Sequence, residues 1–89
     1  MKDRYLEVTF RKGKLVAAYL HLPRQHNVRS ARTELVGTHL LADYDLQGSL
    51  IGIELTVPGQ VTLEQINKIL DQAGIDHIGP EELAPLQAP

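Results

Sequence analysis

"DYDLQGSLIGIEL" (residues 43–55) can be read in two ways, and the choice decides the fold. Set against the calcium-loop pattern D-x-[DN]-x-[DN]-G-x5-E, Asp43, Asp45, Gly48 and Glu54 occupy positions 1, 3, 6 and 12. Gln47, at position 5, departs from it. A loop of that kind needs a helix on each side, so that its carboxylates coil around the ion. Downstream comes Leu55-Thr56-Val57-Pro58-Gly59, where no helix starts, and upstream "VGTHLLADY" (36–44) lacks capping residues. Both flanks read as strands, which makes the stretch a hairpin with Asp43 and Glu54 on separate strands. A turn at Asp45-Leu46-Gln47-Gly48, with Gly48 left-handed, faces Tyr44 with Ser49, Ala42 with Ile51 and Leu40 with Ile53. The other face then pairs Asp43 with Leu50, Leu41 with Gly52 and His39 with Glu54. Asp45 opens the turn, where its side chain can accept from backbone N–H groups two residues on.

Outward from this hairpin, the pattern continues on both sides. Leu6, Val8 and Phe10 alternate with Glu7 and Thr9 as in a half-buried strand. "RKGK" (11–14) is a polar turn with Gly13 free to take positive φ, and residues 15–22 form the returning strand. Pro23 ends that strand, because it cannot donate to a ladder. "PRQHNVRSAR" (23–32) is aperiodic and basic, an exposed loop. Residues 35–44 are expected as one strand bent at Gly37, and residues 49–57 as its partner. The period then changes. Leu63, Ile66, Ile69, Leu70 and Ala73 make one helical stripe, with Thr62 and Gln65 in capping-box spacing and Gly74 just past the end. The expected architecture is α+β: an antiparallel sheet of about four strands in two hairpins, with one amphipathic C-terminal helix (about 63–73) packed on one face. Residues 1–79 form one domain, and residues 80–89 a short turn and a frayed tail.

Eighty-nine residues make a single small domain, and the absence of cysteine excludes a disulfide framework and fits a reducing cytoplasm. The N-terminus is charged and alternating rather than a signal peptide, and "LVAAYLHL" (15–22) is far too short to span a bilayer. Eight of the nine Lys and Arg residues fall in residues 1–33, whereas nine of the eleven Asp and Glu residues fall in 34–89. In one folded domain such halves lie side by side and neutralise each other.

"ARTELVGTHLLADYDLQGSLIGIEL" (31–55) resembles the core of a small prokaryotic family, domain of unknown function 2283. Its members show a T-x-E run and then D-Y-D-x-x-G-x-L-x-G-I-E-I. Thr33, Asp43, Tyr44, Asp45, Gly48, Leu50, Gly52, Ile53 and Glu54 fall on that pattern. With a weaker match at residues 19–22, the likeness covers about half the chain. It departs at the first turn, where "FRKGKLVA" (10–17) is basic and the family is acidic. The resemblance implies a compact sheet-and-helix domain, and an antitoxin-like partner of a small toxin.

No catalytic constellation stands out. His21, His26, His39 and His77 match no zinc spacing, no nucleophile elbow is present, and "RKGK" lacks the remaining elements of a phosphate loop. No metal or cofactor is therefore expected. The candidate contact for a partner or polyanion is the basic loop, through Arg24, His26, Arg29 and Arg32. It lacks interleaved aromatics, which counts against single-stranded nucleic acid. The expectation is a non-catalytic cytoplasmic protein that binds another protein and pairs as a homodimer through an uncovered sheet face. The alternatives are a nucleic-acid binder using the basic loop, and an enzyme or metal site around His39 and Glu54.

Overall fold

The computed structural model describes residues 4–23 and 28–87. Five strands form one antiparallel sheet: β1 (Tyr5–Arg11), β2 (Lys14–His21), β3 (Arg32–Gly37), β4 (Leu40–Tyr44) and β5 (Leu50–Leu55). Their spatial order is β1-β2-β5-β4-β3. The chain makes a β1–β2 hairpin, passes to the far edge, and returns through β3 and β4 to set β5 against β2. The long connection is pinned at its two ends: Leu22 N–H donates to Ile51 O, and Ala31 N–H to Tyr44 O.

The sheet is wider than expected by one strand. Residues 35–44 are not one bent strand; they turn back at Thr38-His39, and Gly37 pairs with Leu40. His39 takes φ 65°, a left-handed conformation unusual for a residue with a side chain. No glycine occupies that position to announce the turn. In the β1–β2 hairpin the turn falls within the expected "RKGK" but is tighter: Lys12 (φ 52°) and Gly13 (φ 78°) form it, and Arg11 and Lys14 already pair.

The 43–55 stretch is a hairpin, with Gly48 at φ 84°. Asp45 Oδ1 accepts from the N–H groups of Gln47 and Ser49, both at 2.9 Å, as its place at the turn requires. The register differs from the expected one. Ala42 faces Ile53, Leu40 faces Leu55, and Tyr44 faces Leu50, with an irregularity between Asp43 and Tyr44. Ser49 belongs to the loop, and the bulge leaves Ile51 without a partner on β4. Leu50 therefore turns into the core, and Ile51, expected there, is buried apart from it beside Pro23 and Val28.

α1 (Leu63–Gln72) is closed at both ends by its own sequence. Thr62 and Gln65 make both bonds of a capping box. At the other end Gly74 (φ 72°) donates to Asp71 O and Ile75 N–H to Leu70 O, a Schellman closure. Ile66, Ile69 and Leu70 join Leu20, Leu22, Leu40, Ala42, Ile53 and Leu55 in one core cluster; Ala73, expected on the stripe, is exposed. Asn67 then holds the chain after the helix. Its side chain donates to Ile78 O (3.1 Å) and accepts from Ile78 N–H (2.8 Å).

Where a short turn opening at Pro80 and then a frayed tail were expected, Pro80–Gln87 is one 3-10 helix, and Leu83 is buried in the same cluster. Arg4 secures this segment. Its guanidinium donates to both carboxylate oxygens of Glu82 and to the carbonyls of Asp76 and His77. α1 and the Pro80–Gln87 helix thus put their buried residues into one core on one side of the sheet.

Candidate functional site

Neither α1 nor the Pro80–Gln87 helix packs on the other side of the sheet. Strand alternation and pairing set out its surface in rows that cross the strands. One row runs Tyr5, His21, Gly52, Asp43, Thr33, and the next runs Glu7, Tyr19, Glu54, Leu41, Leu35.

These side chains are organised. Tyr19 lies across Gly52 to reach β4, where its hydroxyl donates to Asp43 Oδ2 at 2.6 Å. A Cβ built on Gly52 would stand 2.0 Å from the Tyr19 hydroxyl oxygen, so only glycine fits beneath the ring. Thr33 donates its hydroxyl to the other Asp43 oxygen, which ties β3 into the same network. The His21 ring stacks on Tyr5 (centroids 4.3 Å apart, 12° between planes) and meets Tyr19 at a tilt. Its Nε2 lies 2.7 Å from Glu7 Oε1. Polar and aromatic contacts therefore cross all five strands from Glu7 to Thr33. Thr33, Asp43 and Gly52 are positions of the family-like pattern, and here they serve one arrangement.

Beside this network lies a shallow cleft of about 380 Å³, lined by Glu7, Thr9, Ala17, Ala18, Tyr19, His21 and Glu54. It holds two carboxylates and no Lys or Arg. Glu7 leans on His21, whereas the carboxylate of half-buried Glu54 has neither ion pair nor hydrogen-bond partner among the described residues. At the rims of this face Tyr5 is 48% exposed and Leu35 74%.

The residues singled out from sequence are placed elsewhere. Arg24 and His26 lie outside the described residues. Arg29 is exposed and lines a separate cleft between the long connection and the β4–β5 turn. Arg32 belongs to β3 rather than to a loop; it pairs with Glu34 at 2.7 Å and stacks over the Tyr44 ring at 4.4 Å. The expected His39–Glu54 pair is not formed. Glu54 stands between Tyr19 and Leu41, while His39 sits in the turn, its carbonyl accepting from Thr56 N–H. The two-residue slip of the register relative to expectation is the cause. No group of three or more His, Cys, Asp or Glu residues is placed to hold a metal ion among the described residues, and none of their helices is long and apolar enough to cross a membrane.

Sequence reasoning expected an uncovered face but missed the network on it, because its members come from all five strands. Only the cross-strand register brings Glu7, Tyr19, His21 and Asp43 together. Comparison with protein-family models, curated proteins and solved structures returned no match to the chain.

Proposed function

We propose that this chain is a non-catalytic protein-binding module and that the uncovered face of the sheet is its recognition surface. One observation carries the reading: the face bears a preset polar and aromatic network, flanked by exposed Tyr5 and Leu35, while α1 and the Pro80–Gln87 helix pack on the opposite side. Rigid aromatic groups beside a few convergent polar ones lose little entropy when a partner docks, which is how protein interfaces gain affinity. The resemblance to domain of unknown function 2283 points the same way, since an antitoxin-like role is a protein-binding role. The acidic cleft, with Glu7 and Glu54 in its lining and Asp43 in the adjoining network, makes nucleic acid a poor occupant of that part of the face.

Leu35→Asp and Tyr5→Ser test the reading. Both side chains are exposed, so the fold should hold; Leu35→Asp should keep its thermal midpoint close to wild type, and Tyr5→Ser should lower it modestly through the lost stacking on His21. Capture of a protein partner from native extract, and any self-association of the purified chain, should fall together in these variants. Capture that is unchanged in both would place recognition elsewhere.

A further inference from the structure

The uncovered face is charged in two zones. Around the cleft, Glu7 and Glu54 flank Tyr19 on neighbouring strands. Toward the β1–β2 turn, alternation along β1 puts Arg11 on the same face as Tyr5, Glu7 and Thr9, and Lys14 pairs with Arg11. Lys12 completes the turn, and all three basic residues are exposed. None of the three has an ion-pair partner among the described residues, and neither has Glu54. The two zones are four residues apart along β1, about 13 Å.

We propose that, resting on the reading of this face as the recognition surface, its occupant is a second copy of the chain docked face to face. A two-fold axis lying along the row of Thr9 and Ala17 would set the basic turn of one copy over the acidic cleft of the other, and the reverse. A two-fold contact must be self-complementary, and this surface is so in charge. It is also so in shape: Thr9 and Ala17 are small where the copies come closest, and the cleft is open where a long basic side chain arrives. The guanidinium of Arg11 suits that cleft, because a planar fork matches a carboxylate and stacks on aromatic rings. Docking also supplies half-buried Glu54 with a counter-charge.

Charge reversal tests this in purified protein by sedimentation velocity. Wild type should be dimeric at micromolar concentration and should weaken as salt is raised. The acid-reversed variant Glu7→Lys/Glu54→Lys and the base-reversed variant Arg11→Glu/Lys14→Glu should each dissociate at concentrations higher by about tenfold or more. Mixed in equal amounts, the two variants should recover a dimer, because each cleft then meets an opposite charge. If reversal at Glu54 prevents folding, Glu7→Lys alone serves as the acid-reversed partner. A monomeric wild type, reversed variants as dimeric as wild type, or a mixture that stays monomeric would each overturn the proposal. Should the wild type be monomeric while capture of another protein still depends on Leu35, the second-copy assignment fails and the recognition face stands.

Discussion

Gly52 is glycine because Tyr19 occupies the space that a side chain there would need. Gly52→Ala should therefore cost about 1–3 kcal/mol, as overpacking does, by pushing the Tyr19 ring off Gly52 and its hydroxyl off Asp43. Urea unfolding measures it, and in a Tyr19→Ala background most of that cost should disappear. His39 presents the opposite case. Its left-handed backbone strains a residue that has a side chain, so His39→Gly should raise stability by roughly 0.5–1 kcal/mol in the same assay, the gain being tempered by a freer unfolded chain. Both residues show where reading the sequence reaches its limit. Gly48 could be understood as a turn residue from its neighbours alone. Gly52 could not, since its cause is a tyrosine thirty-three positions earlier. The turn at His39 was hidden because the position that favours glycine does not hold one.

Among the elements, α1 was the most legible, since its period, capping box and terminal Gly74 all lie within a dozen residues and act locally. Thr62→Ala should cost about 1 kcal/mol by leaving the Gln65 N–H uncapped. Asn67→Ala should cost more, about 1–3 kcal/mol, because both backbone groups of Ile78 lose their partner in a part-buried place. Hydrogen exchange should show the Asn67 variant loosening residues 75–83 ahead of the helix. The end of the 3-10 helix Pro80–Gln87, from Ala84 on, was read as a tail for a physical reason. "PEELAPLQ" carries two prolines and no stripe, so nothing local orders it. It is ordered by docking, through Leu83 in the core and Arg4 on Glu82. The β4–β5 register slipped by two positions for a similar reason, since a bulge that exchanges Leu50 for Ile51 satisfies contacts beyond the hairpin.

Across the whole molecule, the Arg4–Glu82 contact joins the start of β1 to the last helix, and it makes that closure sensitive to acid. Hydrogen bonding to Arg4 holds the Glu82 carboxyl below its ordinary value of 4.5, outweighing the smaller opposing effect of burial. A carboxylate lowered in the folded state stabilises the protein fully above its unfolded pKa, and that contribution is lost as pH falls through the folded value. Thermal midpoints should therefore fall in this acid range, and Glu82→Gln should flatten that part of the profile while lowering the plateau near neutrality. The order β1-β2-β5-β4-β3 carries a further consequence, for synthesis. The ribosome releases β5 last among the strands, yet it is the central one, bonded to both β2 and β4. Until Leu55 has emerged, the nascent chain holds two separate two-stranded ribbons, each marginal alone and each with bare edges. A ribosome that stalls anywhere before the middle strand thus leaves fragments open to proteases and to pairing with neighbouring chains, and only the synthesis of β5 brings them under cover.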